Sequence, residues 1–209
     1  MISEVFNEDC MIGMARYPDK FFDLAVVDPP YGIEINMNMG RRKGKRAVHE
    51  NKDWDNSIPN TDYFIELARV SKNMIIWGGN YFPLPLTKSW IFWDKEVPEG
   101  VDFADGELAW TSFNKTLVKA KVKYTGFQGM DKGGKIHPTQ KPVALYDWIY
   151  KNYLPEGGKV IDTHLGSGSN RIAADKAGNI DFYGWELDRA YFEAQEKRWS
   201  NYKKQLILF

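Results

Sequence analysis

Apolar residues along the chain fall into two alternating patterns. Short continuous runs at Phe21–Val27, Asn73–Trp77, Ser89–Trp93 and Ile180–Trp185 predict buried strands. Ile2–Phe6 and Val160–Ile161 predict two shorter ones. Between these runs, three-to-four spacing predicts helices over Cys10–Tyr17, Thr61–Val70, Pro142–Tyr153 and Asn170–Ala177, and a last helix capped by Asp188 and running through Leu206. Pro18 breaks the first helix. Thr61 is expected to cap the second, whose apolar face is Tyr63, Phe64, Leu67 and Ala68. Pro142 suits a first helical turn. Leu108–Phe113 and Leu117–Tyr124 read as a hairpin or as edge strands. Lys119, Lys121 and Lys123 alternate along one face of the second, as on a protected edge or a phosphate-facing strand. Residues 32–60 carry no such pattern and are expected to form a long polar loop, functional or mobile. Repeated strand-then-helix units predict one α/β domain over 1–209: a mostly parallel, doubly wound sheet with helices on both faces.

Charge changes the picture more than composition does. At 209 residues, with 43% apolar and 27% charged side chains, the chain has the make-up of one soluble domain with a full core. No apolar run approaches the roughly 18 residues of a membrane span. The acidic start, Met1-Ile2-Ser3-Glu4, does not read as a secretory signal, so a cytoplasmic protein is expected. Cys10 is the only cysteine and His49, His137 and His164 are scattered, which excludes an internal disulfide and a cysteine-based zinc cluster and leaves no metal expected. Net charge is +0, yet five of the six residues Arg41, Arg42, Lys43, Gly44, Lys45 and Arg46 are cationic. Seven lysines meet a single acid, Asp131, between 115 and 141. Two basic segments on an acidic body point to a localised polyanion-binding face, the plainer alternative being two solvated loops.

In open α/β sheets ligands bind outside the carboxyl ends of the strands. Those ends here are Asp9, Asp28-Pro29-Pro30-Tyr31, Gly78-Gly79, Asp94, Asp162 with a glycine turn, and Glu186. The turn Gly166-Ser167-Gly168 lets backbone approach a ligand, although it lacks the third glycine of a dinucleotide fingerprint. Glu186, at the end of the next strand, can accept both hydroxyls of a ribose; its alternative role is that of an acid at a helix start. Asp28-Pro29-Pro30-Tyr31 is the sharper signal. A stiff turn presents a carboxylate, the fixed carbonyl of Pro29 and an aromatic face, a set that fits a planar amine. A proline-stiffened turn with a core tyrosine is the plainer reading.

Taken in order, Asp28-Pro-Pro-Tyr31, His137-Pro-Thr-Gln-Lys-Pro142 and Asp162-Thr-His-Leu-Gly-Ser-Gly-Ser169 resemble the S-adenosylmethionine-dependent DNA amino-methyltransferases, in the motif order of their beta group. Trp77-Gly-Gly-Asn-Tyr-Phe82, Trp93-Asp-Lys95 and Glu107-Leu-Ala-Trp110 support the resemblance, which spans roughly Ile2–Tyr191. It implies a class I methyltransferase-like fold with permuted motifs and a small insertion. It implies transfer of a methyl group from S-adenosylmethionine to adenine N6 of a base flipped out of double-stranded DNA. Asp28, Pro29, Pro30 and Tyr31 would form the catalytic turn. Asp162, Gly166, Ser167 and Gly168 would line the methionine end of the cofactor, Glu186 its ribose and Asp9 its adenine, with Thr139, Gln140 and Lys141 closing the other side. Thr163 and His164 stand where the family more often has proline and an aromatic, so His164 is expected at the cofactor. Arg41, Arg42, Lys43, Lys45, Arg46, Lys119, Lys121 and Lys123 would hold phosphates. The space between motifs is short for a separate recognition domain, leaving a compact insertion over 113–136. A homodimer fits, since relatives are often dimeric. The alternatives are cytosine N4 as acceptor and an inactive relative that binds DNA or adenosine ligands.

Overall fold

The computed structural model describes residues 1–33, 58–100, 104–124 and 135–206. The basic run Arg41–Arg46, nearly all of the 32–60 loop and part of the 113–136 segment therefore lie outside the described residues.

Eight strands form one sheet: β1 (Ser3–Phe6), β2 (Phe22–Val27), β3 (Ser71–Trp77), β4 (Trp90–Asp94), β5 (Gly106–Thr111), β6 (Val118–Lys121), β7 (Gly158–Asp162) and β8 (Ile180–Trp185). Their order is β1-β8-β7-β2-β3-β5-β4-β6. Only β5 runs against the rest: it pairs antiparallel with β3 and β4, and every other pairing is parallel. The expected hairpin does not form, because β5 and β6 flank β4 on opposite sides. Residues 118–121 thus belong to the main sheet as its edge strand.

The helices are α1 (Cys10–Met14), α2 (Thr61–Val70), α3 (Val143–Tyr153), α4 (Ser169–Ala177) and α5 (Arg189–Leu206). Strand pleating sends alternate residues to opposite faces, and each face has its own core. Leu24, Val26, Ile75, Trp77, Val160 and Phe182 pack with α3 and α4. Ala25, Val27, Ile76, Ile161, Tyr183 and Trp185 pack with Met14 of α1 and Tyr63, Leu67 and Val70 of α2. Burial on both faces is why these strands read as unbroken apolar runs.

Three local expectations are corrected. The first helix ends at Met14: Arg16 and Tyr17 donate to the carbonyls three residues back, closing tight turns ahead of Pro18. The cap of α2 is Asn60, whose Oδ1 accepts from the Tyr63 amide at 3.0 Å, and Thr61 is the first helical residue. Pro142 is the cap of α3 with extended backbone, one position before the first turn.

β2 and β7 are neighbours, with Leu24 beside Val160. From them the chain departs in opposite directions, to β3 on one side and β8 on the other. That is a topological switch point, where an open α/β sheet leaves a crevice at its carboxyl edge. Asp28 and the glycine turn after Asp162 both leave the sheet there.

Candidate active site

Two cavities open side by side at this edge. The smaller, about 440 Å³, is walled by Pro29, Tyr31, Tyr81, Phe92, Lys95 and Glu107, among others. The larger, about 640 Å³, runs over the glycine turn toward α1 and α2. Asp28, Pro30, Thr139 and Lys141 line both. The two motifs expected to meet across one cleft do so, with the acid of the proline turn in the dividing wall.

The Asp28 carboxylate is engaged at both oxygens. Oδ1 accepts from the Tyr31 hydroxyl at 2.6 Å and Oδ2 from the Lys141 ammonium at 2.5 Å. Burial raises its pKa above the usual carboxylate value; Lys141 pulls it back down and Glu107 adds to the rise. The Tyr31 ring stacks on Tyr81 at 5.1 Å and reaches over Gly78. The Lys141 side chain is 3% exposed and its Nζ also lies 3.1 Å from Glu107 Oε2. Glu107 Oε1 meets Lys95 at 2.6 Å. Lys141 and Lys95 together hold the Glu107 carboxyl down at about 2, against the opposing effect of burial.

In the larger cavity, Glu186 Oε2 accepts from the Gly166 amide at 2.8 Å and Oε1 from the Asp188 amide at 2.9 Å. Asp9, Gln140, His164, Gly166, Ser167 and Glu186 all line this space. Asp9 also caps α1, and Gln140 Oε1 accepts from the Ile136 amide. His164 rests edge-on against Tyr63, with Nδ1 2.9 Å from Thr163 Oγ1, which in turn lies 2.6 Å from the Tyr63 hydroxyl. Burial lowers the His164 pKa to about 4.

Asp162 and Gly168 line neither cavity. Asp162 lies beneath the turn, accepting from the His164 amide and from Asn170 Nδ2, and burial raises its pKa to about 7. Gly168 takes the left-handed conformation that starts α4. Lys119, Lys121 and Lys123 are exposed on and just past β6, and Lys119 pairs with Asp94 at 3.3 Å. Lys141, expected at the cofactor, holds Asp28 between the two spaces. Lys95 and Glu107 line the smaller cavity without being among the candidate residues that the motifs name. Glu107 is the second residue of β5, and only the reversed direction of that strand brings a strand's start to the carboxyl edge. The lone signal was their presence in two of the short stretches that support the resemblance. Among the described residues no cluster of His, Cys, Asp or Glu could hold a metal ion, and no helix is long and apolar enough to cross a membrane.

The sequence pattern of the N6/N4 DNA methylases matches residues 80–197, more than half of the chain. The chain belongs to the DNA methylase family. The type II methyltransferase M.HinfI of Haemophilus influenzae is 24% identical to this methylase over 245 residues, covering 94% of this chain and 68% of the relative. Among solved structures, the M1.HpyAVI–SAM complex matches with a TM-score of 0.59 at 20% identity, over 95% of this chain and 100% of that one. The cytosine-N4-specific PvuII DNA methyltransferase matches with a TM-score of 0.60 at 13% identity, over 94% and 86%. Both carry the fold described above. The family pattern starts at Asn80, so the proline turn of this methylase lies ahead of it, while Lys141, the glycine turn and Glu186 lie within it.

Proposed function

We propose that this methylase transfers a methyl group from S-adenosylmethionine to the exocyclic N6 of adenine, the base being turned out of duplex DNA into the smaller cavity. The observation that carries the reading is the position of Asp28, in the wall common to two cavities. The larger cavity has the size of a cofactor site. Its donor set suits an adenosyl group: Glu186 for the ribose hydroxyls, apolar Met11, Ile58 and Pro59 for a purine, and bare backbone at Gly166. The nearest atoms to a Cβ on Gly166 would be those of His137, at 3.8 Å, so it is the left-handed backbone there, φ 51°, rather than a clash that calls for glycine. When bound, the sulfonium supplies an electrophilic methyl carbon.

The chain's own residues do the rest. An adenine amine is a weak nucleophile because its lone pair is shared with the ring. Asp28 and the Pro29 carbonyl accept its two N–H groups and let the nitrogen pyramidalise, while the aromatic wall at Tyr31 fixes the ring plane. Positive charge grows on nitrogen as the N–C bond forms and the S–C bond breaks, and the Asp28 carboxylate stabilises it in a site largely shielded from water. One amine proton then leaves to Asp28, whose raised pKa suits a transient acceptor, and passes on to solvent. Lys119, Lys121 and Lys123 line the sheet edge on the side of the smaller cavity and are suited to phosphates, with Arg41–Arg46 as a second basic element.

An acid rather than serine at the head of the turn favours adenine over cytosine. Incubation with unmethylated bacterial DNA and the donor, followed by nucleoside digestion and mass analysis, tests this. N6-methyladenine is expected. N4-methylcytosine would reassign the acceptor, and unmodified DNA would leave an inactive binding protein.

A further inference from the structure

The smaller cavity contains a charge arrangement that methyl transfer, as described so far, does not use. Lys141 Nζ stands between two carboxylates, 2.5 Å from Asp28 and 3.1 Å from Glu107. The contacts differ in kind. The Asp28 contact is a directed hydrogen bond, whereas Glu107 Oε2, closed to solvent, receives no hydrogen bond of good alignment. A small movement of the ammonium toward Glu107 would supply one. The aromatic faces on either side, Trp77 at 5.3 Å and Tyr31 at 5.8 Å from Nζ, leave the cation attracted to both but tied to neither.

This arrangement has the wrong electrostatics for transfer. An ammonium on Asp28 Oδ2 occupies the acceptor that an amine N–H needs, and it opposes the positive charge that must grow on the nitrogen. We propose that Lys141 is a relocating counter-ion: it holds Asp28 before the target base enters and moves onto Glu107 when the amine arrives, which makes Glu107 a positioning residue for transfer. The inference rests on the reading of Asp28 as the group that receives the amine. Glu107 serves because it stays ionised and because Lys95 braces its other oxygen at 2.6 Å.

The groups facing Asp28 set the sign of the test. They are Tyr31 on its own turn, Lys141 ahead of α3, Glu107 from β5, Tyr146 from α3, Asp162 from β7 and Tyr63 from α2. Of these, Lys141 lowers the Asp28 pKa and Glu107 raises it. Single-turnover transfer to unmethylated bacterial genomic DNA is followed across pH for the wild type, Glu107→Gln, Lys141→Met and the double variant. Glu107→Gln should lower the plateau rate about a hundredfold, the lower end of the range for a lost or displaced charge at a developing ion, and shift the acid limb to lower pH as Lys141 closes on Asp28. Lys141→Met should shift that limb to higher pH. The double variant, with no ammonium to relocate, should exceed Glu107→Gln by about tenfold. A Glu107→Gln plateau equal to the wild type, or a double variant no faster than Glu107→Gln, would overturn the proposal. Absence of transfer in the wild type would instead overturn the reading of Asp28, and is seen before any variant is compared.

Discussion

The ring of Tyr31 occupies the space beside Gly78 where any other residue would carry its Cβ: the nearest ring atom is 2.2 Å from that position. Gly78 also has φ of 66°, a conformation that L side chains adopt only under strain. Two independent constraints therefore keep this position glycine, and the first of them seats the Tyr31 ring of the proline turn. Gly78→Ala should cost about 1–2 kcal/mol for the backbone alone, and more for the displaced ring. Tyr31 would lose its place and its 2.6 Å hydrogen bond to Asp28. Thermal unfolding should show a lower Tm, and methyl transfer should fall in the folded fraction while cofactor binding remains.

Much of this site was legible in the sequence because parallel strands buried on both faces write continuous apolar runs. The residues that follow β2, β7 and β8 mark the crevice in the sequence itself: Asp28, the glycine turn at Gly166 and Glu186. Glu107 escaped the same rule because β5 is reversed, so its first residues meet the last residues of its neighbours. Lys141 was legible as part of a motif, but its partner was not: 113 positions separate it from Asp28, and only the adjacency of strands joins them. Tyr63 looked like an ordinary member of a helix's apolar face. Its ring is in the core, yet its hydroxyl reaches Thr163 in the larger cavity, a dual placement that periodicity cannot register.

Asp28→Asn keeps the shape of the turn and removes the charge. Lys141 would turn to Glu107, already 3.1 Å away, so no buried ammonium is left alone. The variant should fold and bind adenosylhomocysteine with near wild-type affinity by calorimetry, since Asp28 touches the larger cavity only at its wall. Its transfer rate should fall by about a thousandfold, the scale of losing a fixed charge aimed at a developing ion. Transfer within tenfold of wild type would remove Asp28 from its role.

His164 makes an acid-stability prediction. Burial lowers its folded-state pKa from 6.5 to about 4. Between those values the unfolded chain takes up a proton that the folded chain refuses, so stability falls as pH drops from about 6.5 toward 4. Allowing for its partial exposure, the loss from this group is roughly 2 kcal/mol. His164→Phe, which keeps a ring at this position without a titrating group, should flatten that part of the stability curve. Urea unfolding midpoints measured from pH 7 to pH 4 would reveal it; the same slope in both proteins would assign the acid sensitivity to other groups.

Lys119, Lys121 and Lys123 test the DNA face. Ala120 between the first two is fully buried, so the lysines share the exposed side of an edge strand. β6 runs parallel to β4, with Lys121 opposite Asp94, and the chain leaves β4 into Lys95 on the wall of the smaller cavity. A backbone lying along this edge would hold its flipped base close to Asp28. Each phosphate that no longer meets a lysine should reduce the slope of log affinity against log salt by about 0.9. Replacing all three lysines by alanine should therefore flatten the slope by about 2–3 and weaken binding across all sequences alike. Lys119 should count for less than the others, because it already neutralises Asp94 at 3.3 Å and binding DNA would have to break that pair. An unchanged slope would make these lysines protection of a bare sheet edge, and would shift the burden of phosphate binding to Arg41–Arg46.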